Sequence, residues 1–212
     1  MINCVGEIKK NFMLDANNAI KTNSLLPHRL AYFSDLFGFR FIHISTDCVF
    51  SGKKGNYCET DFADANDSYG ISKFLGEIIY RPNCLTLRTS IIGHELITSH
   101  GLLNWFLLQE DSVPGYTHAI FSGLPTIELS DVIEKYIIFN PALCGLYHIS
   151  SDPIDKYSLL RLISAKYQKD IKILPYSEVR INRSLNSHKF RTLTGYNAPD
   201  WKVLIEKMYQ FG

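Results

Sequence analysis

Tyr69-Gly70-Ile71-Ser72-Lys73 sets a phenol and an ammonium four residues apart, the spacing that brings two side chains onto one helix face. Upstream, the apolar run Phe41-Ile42-His43-Ile44 ends at Ser45-Thr46-Asp47. Such a run reads as a buried parallel strand. In open α/β sheets ligands bind beyond the carboxyl ends of the strands, where Thr46 and Asp47 stand. A strand ending in a hydroxyl, followed by a helix presenting Tyr69 and Lys73, is a proton-handling constellation. It commits the chain to an α/β arrangement.

The rest of the chain fits that frame. Met1-Ile2-Asn3-Cys4-Val5-Gly6 reads as a strand running into a turn, and Asn11 to Phe37 is helical in its apolar spacing. Pro27 predicts an interruption, with a first helix ending near Asn23 and a second holding Pro27 in its first turn. Gly38 is the expected C-terminal cap. Ser51–Asn66 is a polar loop, Ser68 the expected cap of the Tyr69 helix, Pro82-Asn83 its expected end, and Cys84–Thr89 a further strand. Strand, helix, strand in this rhythm predicts a parallel sheet with helical crossovers.

Beyond Gly93 the rhythm loosens. The pattern predicts a helix over Gly101–Gln109, a polar bend at Asp111–Gly115 and a turn at Gly123–Thr126. It then predicts a helix from Ser130-Asp131 to Phe139, a strand at Gly145–Ser150, a helix at Tyr157–Tyr167 and a short strand at Ile171–Leu174. Asp200-Trp201 opens a last helix. The expected division is therefore residues 1–93, carrying the sheet and the reactive side chains, and residues 94–212, carrying a smaller α/β lobe packed on it.

With 212 residues the chain suffices for one core and a small second lobe. Charged residues make up 20% and the net charge is +1, which leaves no electrostatic footprint for nucleic acid or an anionic membrane. The five cysteines (Cys4, Cys48, Cys58, Cys84, Cys144) are scattered, without C-x-x-C or metal-ligand spacing. They read as reduced thiols of a cytoplasmic protein with no metal. No apolar run approaches the length of a bilayer span.

The words ISTDCVFSGKKGNYCETD, YGISKFLGE, LTLRTSIIG and GLPTIEL resemble the dTDP-4-dehydrorhamnose reductase family of extended short-chain dehydrogenases. Tyr-x-x-x-Lys alone is a weak signal; in order with S-T-D-x-V-F and L-R-T-S it is a strong one. INCVG resembles the family's segment ending its fourth strand, Asn23 its helix asparagine, and RSLNSHKFRTLTGYNAPDW its C-terminal substrate segment. The resemblance implies a partial Rossmann-like parallel sheet with a small C-terminal α/β substrate lobe. It also implies NADP or NAD as cofactor, a nucleotide-sugar substrate and a homo-oligomer. In its terms Tyr69 is the acid, Lys73 its tuner and Thr46 the orienter. Cys4, Val5, Tyr69, Lys73 and Arg88 are expected at the cofactor, and Asp47, Val49, Phe50, Thr126 and Arg183 at the substrate.

Ketone reduction needs a hydride on one face and a proton for the developing alkoxide. A nicotinamide supplies the first, since no side chain does. A tyrosine at its ordinary pKa of about 10 is a sluggish donor, so Lys73 is expected to lower it. A nucleotide-sugar epimerase or dehydratase of the same superfamily is the alternative enzyme, and a non-catalytic binding member the alternative of another class. A dehydratase would want a glutamate where Cys48 follows Asp47. The plain alternative for Trp105 and Phe106 is core rather than sugar stacking. No G-x-G-x-x-G occurs, and the family's first βαβαβ portion has no counterpart in these residues. The expectation is a truncated or degenerate reductase, with weak dinucleotide affinity and an exposed strand edge that favours self-association.

Overall fold

Four parallel strands carry the site. The computed structural model describes residues 1–9 and 15–212, so the expected helix start at Asn11 lies outside the described residues. In chain order the strands are β1 (Ile2–Asn3), β2 (Phe41–Ile44), β3 (Cys84–Arg88), β4 (Ile91–Ile92), β5 (Ser112–Phe121), β6 (Leu124–Pro125), β7 (Gly145–His148), β8 (Ile154–Asp155) and β9 (Lys172–Asn182). The main sheet has the order β1-β2-β3-β7, all pairs parallel. Its second strand is wholly apolar but for His43, and β3 is buried along its length, as a parallel sheet covered on both faces requires. Because β7 comes from the second half of the chain, the sheet runs across the boundary expected at residue 93, and residues 94–212 supply both its last strand and the smaller lobe.

The described helices are α1 (Ala16–Ile20), α2 (Leu26–Phe37), α3 (Ser68–Leu75), α4 (Leu102–Leu107), α5 (Thr126–Val132), α6 (Lys156–Tyr167), α7 (His188–Thr194) and α8 (Trp201–Phe211). Pro27 falls in the first turn of α2, and Gly38 caps it at φ 68°, both as expected. The expected break near Asn23 is instead a π turn over Lys21–Leu25 that joins α1 to α2. A π turn widens the backbone by one residue, which Pro27 favours because it lacks the N–H for a regular helical bond. The widened turn carries the fully buried Asn23.

Asn23 is the anchor of that region. Its Oδ1 accepts from Glu7 N at 2.8 Å, and its Nδ2 donates to Glu7 O at 3.0 Å and to Ser72 Oγ at 3.1 Å. One amide thus ties the segment after β1 to the helix bearing Tyr69 and Lys73. Asn23→Ala is expected to lower unfolding free energy by about 2–4 kcal/mol, because buried groups lose partners on both sides. Urea denaturation checks this; a change below about 0.5 kcal/mol would be that of a surface site and would contradict the anchor.

In the second half the main departure is at residues 112–121 and 172–182. The expected bend at Asp111–Gly115 is the start of β5, and the short strand at Ile171–Leu174 extends to Asn182 as β9. β5 mixes buried and exposed positions and β9 has no fully buried one, so neither shows an apolar run. They pair in parallel and β8 adds antiparallel to β5, which makes the small lobe. The helix expected from Ser130 begins at Thr126, and the Ser130 hydroxyl donates back to Thr126 O at 3.0 Å instead of capping. The main core includes Leu85, Leu87, Leu103, Phe106, Leu159, Phe190 and Leu204, which joins sheet and lobe in one apolar body. No described helix is long and apolar enough to cross a membrane.

Candidate active site

The helix that bears Tyr69 is capped by Asp67, not Ser68: its carboxylate accepts from Gly70 N at 2.8 Å. Ser68 is the first helical residue. Gly70 sits so close to Cys48 that a Cβ there would overlap the Cys48 carbonyl oxygen. Only glycine lets α3 settle onto the loop after Thr46. The far end is fixed in the same way: a Cβ on Gly76 would overlap the Asn23 carbonyl. Helix α3 therefore ends at Leu75, well before Pro82. Ser24 Oγ donates to Ser72 O at 2.8 Å and locks its middle.

This seating brings the three predicted side chains to one place. Thr46, Tyr69 and Lys73 line a cavity of about 330 Å³ with Asp47, Cys48, Cys4, Gly6 and Thr89–Ile91, at the carboxyl ends of β1, β2 and β3. Lys73 Nζ donates to Ile44 O at 2.9 Å, so the ammonium is held against the end of β2. The Thr46 hydroxyl donates to Asp47 Oδ1 at 3.2 Å and accepts from Cys48 N at 3.1 Å. At Gly6 a Cβ would stand 3.4 Å from Asn23 Oδ1 and 3.6 Å from Lys73 Nζ. A bare backbone there leaves the wall beside Lys73 open to a flat ring, so these residues fit a nicotinamide.

A second cavity, of about 580 Å³, meets the first along Ile8, Cys48 and Tyr69. Its other walls are Lys9, Glu95, Ser99, His100, Gly101 and Trp105. Tyr69 thus faces two spaces, one beside Lys73 and one beside Trp105. Ring and side chain are half-buried at Trp105 while Phe106 is fully buried core, which separates the two aromatic neighbours.

Burial dominates the electrostatics. It pushes the Tyr69 phenol well above its ordinary value, with the neighbouring Cys48 and Asp47 adding and the Thr46 hydroxyl offsetting part of it. The expectation that Lys73 lowers the phenol is therefore corrected: desolvation wins. Burial also lowers Lys73 to about 8, opposed by Glu77 and Cys4. It raises the Asp47 carboxyl, opposed by Arg183. The Cys48 thiol is pushed up to about 11 by burial and then by Asp47.

A depressed lysine leaves a signature in stability. The unfolded chain holds the Lys73 proton up to its ordinary pKa of about 10.5, whereas the fold releases it near 8. The contribution of this group is full above about 10.5 and is lost as pH falls through about 8. Stability relative to Lys73→Met is thus expected to rise between pH 8 and 9, by at most about 1.4 kcal/mol per pH unit for one proton. Urea denaturation of both proteins at the two pH values reads the difference. Parallel pH dependence in parent and variant would contradict it.

Several expected residues stand elsewhere. Arg88 is buried beneath the cavity: Nε reaches Glu77 Oε1 at 2.8 Å and Nη2 reaches Glu77 Oε2 at 2.7 Å. Its guanidinium lies 5.0 Å from the Phe50 ring centroid, so it braces the sheet rather than reaching a cofactor. Val49 and Phe50 are fully buried with Tyr57 and Leu185, and Phe50 stacks on Tyr57 at 4.0 Å. The substrate role expected for these two gives way to core packing under the 51–66 loop. Cys4 lines the cavity, but Val5 is 57% exposed outside it. Thr126 packs on Gly93 and lines a neighbouring cavity with His94 and Met208. Arg183 donates from Nε to Phe50 O at 2.7 Å and from Nη1 to Cys48 Sγ at 3.8 Å, which puts it on the same side as Tyr69.

Sequence reasoning missed Ser45, whose hydroxyl donates to Glu77 Oε1 at 2.7 Å, and gave Cys48, Gly6, Lys9 and Glu95 no place at a site. The available signal was local: Cys48 follows Thr46-Asp47 directly, and Gly6 ends the first strand. Glu95 caps α4 through His100 N at 2.7 Å and Gly101 N at 2.8 Å.

The chain resembles known proteins in sequence and in fold. Residues 14–112 match the family described as the RmlD substrate binding domain. The spore coat polysaccharide biosynthesis protein SpsK of Bacillus subtilis (strain 168) is 30% identical over 158 residues, 71% of this chain and 51% of that protein. The chain is thus similar to the dTDP-4-dehydrorhamnose reductase family. The dTDP-4-dehydrorhamnose reductase of Aggregatibacter actinomycetemcomitans is 29% identical over 155 residues, 66% of this chain and 51% of its own. The chain thus spans about half the length of the curated relatives it matches. In fold it resembles the dTDP-4-dehydrorhamnose reductase of Bacillus anthracis, solved in complex with NADP. The TM-score is 0.84 at 22% identity, over 99% of this chain and 79% of that one.

Proposed function

We propose that this chain carries the catalytic centre of an NAD(P)H-dependent reductase of 4-keto sugar nucleotides, with a dTDP-4-dehydrorhamnose-like substrate, serving deoxysugar synthesis for surface polysaccharide. The observation that carries the reading is the convergence of Thr46, Tyr69 and Lys73 on one cavity at the carboxyl ends of the strands. The likeness to that family and to a relative named for polysaccharide biosynthesis supports it.

The nicotinamide cofactor supplies the hydride; Lys73, Gly6 and Thr89–Ile91 are the residues that would hold its ring end. Tyr69 holds the proton. A phenol raised by burial stays protonated at neutral pH, and an alkoxide is basic enough to take that proton. Thr46 orients the carbonyl through its hydroxyl. Lys73, held on Ile44 O, places positive charge at the wall shared with the cofactor ring. Asp47 is positioned to accept a substrate hydroxyl, with Arg183 opposing the rise in its carboxyl pKa.

Dehydration would require a carboxylic acid beside Thr46. Cys48 stands there with a thiol pushed up to about 11, which is not an acid–base substitute at neutral pH. The test is nicotinamide oxidation by the protein carrying this chain against a panel of 4-keto and 4-hydroxy nucleotide sugars. The reading expects turnover confined to the 4-keto members; equal activity with none or with all of them overturns it.

A further inference from the structure

The segment between β4 and α4 separates two cavities and carries an apolar pair held wholly in water. Leu96 is 100% exposed and Ile97 94%, the highest values of any large apolar side chain among the described residues. Single apolar residues on a surface are ordinary. Two neighbours at a loop tip beside the candidate active site are surface that a closed state can cover. Glu95, Ser99, His100 and Gly101 line the larger cavity with Tyr69 and Trp105. On the other side of the loop, His94, Glu95 and Leu96 line a cavity of about 380 Å³ shared with Thr126 and Met208.

The loop is built as a unit. The Glu95 carboxylate accepts from Thr98 Oγ1 at 3.0 Å, His100 N at 2.7 Å and Gly101 N at 2.8 Å, which closes residues 95–101 on themselves. The ties to the helix behind are longer. Glu95 N donates to Asn104 Oδ1 at 3.3 Å, and Asn104 Nδ2 donates to the Glu95 and Thr98 carbonyls at 3.4 Å each. Helix α4 itself is anchored by Leu103 and Phe106, both fully buried. The base of the loop is pinned at His94, whose Nε2 lies 2.9 Å from the Tyr167 hydroxyl. A stiff loop on long ties, between a pinned base and a fixed helix, can hinge as a body.

We propose that residues 95–101 form a lid that swings over the larger cavity when a nucleotide sugar fills it, seating Leu96 and Ile97 against its apolar wall. This rests on the nucleotide-sugar reading above. Ile8, Cys48 and Trp105 supply that wall, and Ile8 is itself 42% exposed, so the same movement covers it. In the structure Leu96 lies instead at the edge of the neighbouring cavity, which is the open position. Closure takes two aliphatic side chains out of water and shields the side of Tyr69 that meets this cavity. The bound sugar nucleotide supplies surface for the pair to cover, so binding and closure reinforce each other.

Hydrogen exchange of the protein carrying this chain, with and without dTDP-glucose, tests the lid. This probe is a nucleotide sugar without the ketone, so it binds without turnover. At saturation it is expected to slow exchange of the Leu96 and Ile97 amides severalfold in the parent. Leu96→Ser combined with Ile97→Ser is expected to lose that protection and to bind dTDP-glucose about tenfold more weakly, the scale of leaving two aliphatic side chains uncovered. Its melting temperature should match the parent's, because both side chains are exposed in the resting fold; a lower one contradicts the open position. Leu96→Met combined with Ile97→Val keeps the apolar surface and should restore both readings. Binding of dTDP-glucose without slowed exchange in the parent overturns the lid and leaves the nucleotide-sugar reading standing. Equal protection in the serine variant also overturns it, since the ligand then touches the loop without the aliphatic pair. Protection that follows protein concentration rather than ligand overturns it in favour of contact between copies. Failure of dTDP-glucose to bind the parent overturns the nucleotide-sugar reading, and the lid falls with it.

Discussion

Tyr69→Phe is expected to cut reductase turnover by about 100-fold or more, the scale of a lost general acid. The ring remains, so the α3 seating through Gly70 and the contact with both cavities persist, and cofactor affinity should change little. Water reaching the site would replace the phenol poorly as a proton donor, because it is not held in place as Tyr69 is, at the wall shared by the two cavities beside Cys48. Thr46→Val should add to the loss by removing the group that orients the carbonyl. Steady-state kinetics of the purified variants check this. Turnover within about threefold of the parent in Tyr69→Phe, far from the 10²–10⁴ of general acid catalysis, would remove Tyr69 from the chemistry.

The second large effect is structural and lies directly beneath. Glu77 and Arg88 form a two-point ion pair, each side chain 3% exposed, which is braced by Ser45 Oγ on one side and His148 Nε2 at 3.4 Å on the other. Losing one partner leaves an uncompensated buried charge. Glu77→Leu or Arg88→Met alone should therefore cost about 3–5 kcal/mol, and the double variant should recover most of it. The pair also holds Ser45, the residue before Thr46, and Glu77 supports the charged form of Lys73. Turnover should fall in Glu77→Leu even where the fold survives. Urea denaturation of the two single variants and the double is the measurement. Additive losses, or single losses below about 1 kcal/mol, would contradict a buried pair acting as a unit.

The grouping of Thr46, Tyr69 and Lys73 was legible in the sequence because its spacing is local. Tyr69 and Lys73 face one centre through helix geometry alone, and Thr46 ends an apolar strand that could be little else. Less was visible where long-range packing decides. Val49 and Phe50 follow Asp47 in sequence, yet the stacking of Phe50 on Tyr57 turns them into the core. Arg88 ends a strand at the right level, but Glu77 lies 11 residues before it and claims it from below. Nothing in the spacing of either announces the pair. Strands β5 and β9 escaped because they are defined by pairing with each other over a long stretch and not by an apolar run, and β-propensity is a weak signal without that context. The direction of the Tyr69 shift was misjudged for a related reason: proximity of Lys73 can be read from spacing, whereas the degree of burial cannot.

Net hydride transfer to a sugar carbonyl at Tyr69, Lys73 and Thr46 is tested most directly by label transfer. The protein carrying this chain would be supplied with a 4-keto nucleotide sugar and nicotinamide cofactor deuterated at its reducing carbon. The product would then be examined by mass spectrometry and NMR. Stoichiometric movement of one deuterium to carbon 4 of the sugar, with matching cofactor oxidation, is the result expected. An epimerase or dehydratase regenerates its cofactor each cycle, so a changed sugar without net cofactor oxidation, or no label at carbon 4, would contradict it.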